Sequence, residues 1–159
     1  MKMHLKTLIV PVLAASLLAA SISASAQQAP KPENQIKWRQ SAYSVLAWNS
    51  TRIKANIEGQ FNKDEVVKAA NIIAALANGG LGSLFGPGTE QGKGWHDTAV
   101  KPEFFKDTKR VAELAGDFTH EANELAKLAP GGDAAAIKTQ FGKLSKACKS
   151  CHDDFKIKD

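Results

Sequence analysis

Near its end the chain carries Cys148-Lys149-Ser150-Cys151-His152, and these two cysteines are the only ones in its 159 residues. Two thiols three positions apart share one face if the segment is helical. The pattern around them is helical: Ile137, Phe141, Leu144, Cys148, Cys151 and Phe155 recur at three- and four-residue intervals. The cysteines therefore continue a core stripe. Whatever they hold is expected inside a helical core, and the rest of its surroundings must come from upstream.

Upstream, no alternating strand pattern of useful length occurs, and the helical pattern recurs. A first helix is expected from about Glu33 to Glu58, with Pro32 suited to a first helical position. Its inward stripe joins Ile36, Tyr43, Ser50 and Ile57 with Arg39/Gln40, Leu46/Ala47 and Ile53, and is polar at Arg39, Gln40 and Ser50. A second helix is expected over Lys63 to Asn78, with Asn62 and Glu65 forming a capping-box pattern and Gly79-Gly80 ending it. The Gly-rich stretch "GGLGSLFGPGTEQGKGWHDTAV" follows, too long for a plain connection. A third helix is expected from near Pro102 to before Pro130, with Val111, Leu114, Phe118, Ala122 and Leu125 inward. "PGGD" then breaks the chain, and Asp133 can cap a fourth helix from Ala134 to about Phe155. The fold class expected is all-α: an antiparallel up-down-up-down four-helix bundle.

The N-terminal stretch is set apart from this pattern. Lys2 and Lys6 precede an apolar run, and Ala24-Ser25-Ala26 offers a small-residue cleavage signal. Residues 1–26 read as a cleaved secretory signal peptide, leaving one domain over 27–159 and a periplasmic location. Removing Lys2 and Lys6 shrinks the formal charge of +5, and the remaining charges are interspersed. Nucleic acid and membrane are set aside as partners on that ground.

C-x-x-C-H is the attachment sequence of c-type haem. Each thiol adds to a vinyl group, and the adjacent imidazole reaches the iron from one side. A disulfide between Cys148 and Cys151 would close only a tiny loop. A thioredoxin-like motif needs a βαβ context, and zinc needs a second ligand pair. The expected cofactor is one haem c, covalent through Cys148 and Cys151 with His152 as axial ligand.

The other axial position is expected to be open. Both methionines, Met1 and Met3, lie in the leader. His96 sits in the Gly-rich loop. His120, two residues past Phe118, lies about 200° round the helix from the core stripe and should face solvent. The distal wall must come from another helix. Tyr43 reads equally as a core aromatic or as that wall. Arg39 and Gln40 read either as a solvated face or as donors to the haem propionates.

Together "KWRQSAY", "FGPGTE" and "CKSCH" resemble the cytochrome c′ family over essentially all of 27–159. That family is itself among the known up-down bundles. The resemblance implies haem contacts at Arg39, Gln40, Thr89 and Glu90, and places Tyr43 on the open side of the iron. Lys156 takes the basic position one turn beyond the ligand histidine. The resemblance also implies homodimers through the first two helices, for which Trp48 and Ile72 are spare apolar residues.

The expected function is a periplasmic, high-spin, five-coordinate haem protein that binds nitric oxide and carbon monoxide and sequesters the former. The alternative is a periplasmic electron carrier whose partner is steered by Lys146 and Lys149. No distal histidine acid–base supports peroxide chemistry, so no enzyme activity is expected.

Overall fold

The structure is a computed structural model that describes residues 30–158. The expected leader over 1–26 lies outside the described residues. Among those described, four helices form: α1 (Pro32–Glu58), α2 (Lys63–Ala77), α3 (Thr108–Leu128) and α4 (Ala134–Phe155). Short 3-10 turns occupy Leu81–Leu84, Pro102–Phe105 and Ala129–Gly131. No described helix is long and apolar enough to cross a membrane.

The helix ends follow local side-chain chemistry. Pro32 opens α1, its missing N–H being one that no helical partner would have used. Asn62 accepts from the Glu65 N–H at 3.2 Å. The reciprocal half of the capping box does not form. Glu65 instead meets Arg52 at 2.5 Å and Lys68 at 3.2 Å, while the Asn62 N–H donates to Asn56. Asp133 caps α4 as expected, accepting from the Ala135 and Ala136 N–H groups. The third helix differs from expectation. It begins at Thr108 because the Asp107 carboxylate accepts from the Arg110 N–H at 3.1 Å, so Pro102–Phe105 remains a separate turn.

Each helix packs along its length on its neighbour in sequence, α1 on α2, α2 on α3 and α3 on α4. The core between them contains Leu46, Ile53, Val66, Ile73, Leu125, Ile137 and Leu144, all buried. By contrast, α1 and α4 meet over only a short stretch. The bundle thus has three closed seams and one that is largely open.

Burial re-centres two of the expected stripes. On α1 the buried residues are Gln35, Ile36, Arg39, Leu46, Asn49 and Ile53, so Tyr43 lies at the edge of the stripe. Asn49 is fully buried; its amide donates to the Val45 carbonyl, and its carbonyl accepts from Arg52. On α4 the buried positions are Ile137, Gln140, Leu144, Ala147 and Phe155, with Cys148 and Cys151 half-buried beside them. The cysteines are on the flank of the core face rather than at its centre.

Leu125 is fully buried on α3. Leu125→Ala should cost about 2–5 kcal/mol in urea denaturation, the range for deleting a buried leucine side chain.

Candidate functional site

In the up-down arrangement, the start of α1, the loop after α2 and the end of α4 gather at one end of the bundle. Arg39 is the residue that ties them. It is 3 % exposed on α1, and its guanidinium donates to the Leu84 carbonyl at 3.3 Å, the Thr89 carbonyl at 2.7 Å and Thr98 Oγ1 at 2.5 Å. It also lies over the Phe85 ring at 4.8 Å. All of these partners are neutral, and no carboxylate among the described residues forms an ion pair with it. Burial pushes its pKa below the usual guanidinium range, a shift that nearby Tyr43 opposes.

Gln40, one residue on, fixes the loop from outside. Its carbonyl accepts from the Trp95 N–H at 2.7 Å, and its amide donates to the His96 carbonyl at 2.9 Å. The loop comes so close to α1 that only glycine fits at position 94. A Cβ there would stand 2.8 Å from the Lys37 backbone nitrogen. His96 is held at the surface by this clasp, its Nδ1 3.2 Å from Gln40 Nε2 and 2.9 Å from the Asp97 carbonyl. His120 is exposed on α3, as expected. Thr89 is fully buried, its hydroxyl donating to the Gly86 carbonyl, and Glu90 beside it is half-buried.

Across the open seam from α1 stand the thiols of α4. Burial raises the pKa of both Cys148 and Cys151. Tyr43 faces them. Loss of solvation, then the two thiols, push its phenol up to about 12. The ring is still 42 % exposed, because the seam beside it is open to water while protein surrounds its other sides. Its edge meets Phe85, which stacks on Phe104 at 4.4 Å, and Phe104 in turn meets Phe155 of α4. An aromatic column therefore lines the end of the seam. Sequence reasoning missed Phe85 and Phe104, because neither lies on a periodic helix.

His152 sits in the last turn of α4. Burial first, then the positive charge of Lys156, lowers its pKa, with Asp153 opposing. That direction favours the neutral imidazole, the form that ligates metals. An open hollow of ≈ 300 Å³ lies beside it, lined by His152, Asp153, Lys156, Ile157 and Lys158. A larger one at Gln60–Asp64 is at the opposite end of the bundle and touches none of this chemistry.

Covalent c-type attachment of a haem takes thiols for its vinyl groups, with an imidazole suited to its iron and a cation to its carboxylates. The open seam presents all three. Arg39 is the most telling, because a buried guanidinium with only neutral partners is costly unless an anion completes it. Such a site on such a bundle defines a c-type haem protein of the four-helix kind. The pattern of the Cytochrome C' family matches residues 34–156. A cytochrome c′ from Rhodocyclus tenuis is 65% identical over 130 residues, covering 81% of this chain and 98% of that protein. Among solved structures, a cytochrome c′ with ligand-controlled dimer dissociation aligns with TM-score 0.79 and 48% identity over 81% of this chain and 98% of its own. A ferrous cytochrome c′ variant from Alcaligenes xylosoxidans with bound NO aligns with TM-score 0.72 and 28% identity, over 81% and 98% of the two chains. The chain belongs to the cytochrome c′ family and carries one covalent haem c.

Tyr43 is the chain's single tyrosine, so its titration can be read without overlap. In the haem-free chain, ¹³C-tyrosine NMR should show the phenol proton retained to about pH 12. The raised value also has a stability consequence. The folded state binds this proton more tightly than the unfolded state, whose tyrosine titrates near ~10. Its contribution is complete below that pH and is lost as pH rises through about 12.

Proposed function

We propose that the chain is an exported haem protein whose iron is held by His152 alone and takes nitric oxide or carbon monoxide on the side of Tyr43. The observation that carries this reading is that, among the described residues, no methionine and no second histidine faces the seam. Among the described residues there is no methionine, His96 is clasped outside by Gln40, and His120 is exposed on α3. When bound, the haem supplies an iron with one open coordination position.

Each flanking residue has a role in this reading. Cys148 and Cys151 fix the ring edge to α4. Arg39 completes its charge against a propionate, with Thr89 holding the guanidinium in place through its carbonyl. Gln40 acts through the loop it clasps, and Glu90 lines the same loop. Tyr43 stands where an incoming gas must pass. A neutral phenol at ordinary pH presents bulk and one O–H donor there, not an anion that would ligate iron. The charge of Lys156 adds to the lowering of the His152 pKa. Binding without turnover is the proposed activity, since among the described residues no histidine besides His152 faces the seam to move protons.

Sequestration of nitric oxide outside the cytoplasmic membrane, in the periplasm, fits the leader pattern over 1–26. The bound NO in the Alcaligenes relative supports the choice of gas. Homodimerisation fits the exposed indoles on α1, Trp38 at 49 % and Trp48 at 59 %, and the dimer named for a relative. The electron-carrier alternative relies on Lys146 and Lys149. Lys149 is ion-paired with Asp153, which reduces the charge left for steering a partner.

The reduced protein should give a high-spin, five-coordinate optical spectrum that changes on adding carbon monoxide. A low-spin, six-coordinate spectrum without added ligand rules the proposal out. Tyr43→Ala should raise carbon monoxide affinity by roughly tenfold, about 1.4 kcal/mol, if the ring restricts access. An unchanged affinity removes Tyr43 from that role.

A further inference from the structure

The last turn of a helix leaves its carbonyls without helical partners, and an unpartnered end frays. His152 is in that turn of α4, so the direction of its imidazole depends on how the turn is finished. The His152 carbonyl accepts from the Lys156 N–H at 3.0 Å. The next three carbonyls all accept from one residue. The Lys101 ammonium donates to the Asp153 and Asp154 carbonyls, each at 3.0 Å. The Lys101 backbone N–H donates to the Phe155 carbonyl at 2.9 Å.

The sequence explains why Lys101 can do this. It precedes Pro102, which excludes the helical conformation and holds Lys101 extended, at φ −70° and ψ 144°. Its N–H and its side chain are then free to point at a neighbouring element. Residues 99–101 run as a short antiparallel strap beside 155–157: Val100 bridges to Lys156, and the Ile157 N–H donates to the Ala99 carbonyl at 2.8 Å. Arg110 of α3 adds an ion pair to Asp154 at 3.0 Å. A cation at a helix C-terminus is also favoured by the helix dipole.

We infer that Lys101 is a positioning residue for the haem ligand: by capping three carbonyls of the last turn of α4, it fixes the orientation of His152. Outer-shell contacts orient metal-ligating histidines and tune the bond they make; here the contact is to the backbone that carries His152. Lys101 acts through the backbone of α4, at the carbonyls of residues 153 to 155. The inference rests on His152 being the axial ligand.

The test uses the haem-loaded protein. Resonance Raman of the ferrous form reads the iron–histidine stretching band, and hydrogen exchange reads the Lys156 and Ile157 amides. Retention of the band in His96→Gln and His120→Gln assigns it to His152, and its loss in either retires the underlying assignment and this inference with it. In Lys101→Met the band should shift or broaden beyond the scatter of repeat measurements. Amide protection at 156 and 157 should fall by roughly fivefold or more, the effect of losing charge-assisted hydrogen bonds. Lys101→Arg, which keeps a cationic donor, should restore both readouts toward the wild type. If Lys101→Met lowers thermal stability but leaves the band in place, Lys101 is only a structural cap and the inference is overturned. Should Lys101→Met fail to fold, Lys101→Gln provides the same comparison with one neutral donor retained.

Discussion

Arg39 places a full positive charge inside the end of the bundle and offers it only carbonyl, hydroxyl and aromatic partners. Every other feature of that end is arranged around the charge. Leu84, Thr89 and Thr98 come from a loop with little regular structure, and their bonds to one guanidinium give it a fixed path. The loop then carries Phe85 into contact with Tyr43 and Phe104 into contact with Phe155 of α4. Among the described residues no opposite charge is paired with it, and an anionic group of a ligand would offset the desolvation cost of the buried cation.

The open seam follows from how the helices divide their apolar faces. Helices α2 and α3 each bury residues against two neighbours, whereas α1 and α4 each have one full partner and one partial one. Tyr43, Cys148 and Cys151 are the residues that face the partial side. None is fully buried, because no facing helix covers them along that side.

Much of this was legible in the chain. Asp133 and Asn62 marked their helix starts because a capping oxygen acts within three residues of itself. Cys148, Cys151 and His152 declared their chemistry because it depends on adjacent positions. What lay between distant segments was hidden. The Asp107 cap split off the Pro102 turn, an outcome that Pro102 alone did not reveal. Glu65 left its capping box for Arg52 of another helix. Thr98 and Lys101 gained their roles from partners that periodicity cannot identify. The polar interruptions on α1 were visible, but only the folded loop shows Arg39 turned inward and Gln40 turned onto the backbone of residues 95 and 96.

The largely open seam between α1 and α4 is also the seam that joins the first and last of the described helices. Neighbouring helices need only short loops to meet, so three seams close at low entropic cost. The fourth must bring Arg39 and Cys148 together across nearly the whole described chain. On the proposed reading, a group covalently bonded to Cys148 and ion-paired with Arg39 would work there as a cross-link between the first and last helices, so that holding the cofactor and closing the bundle would become a single event.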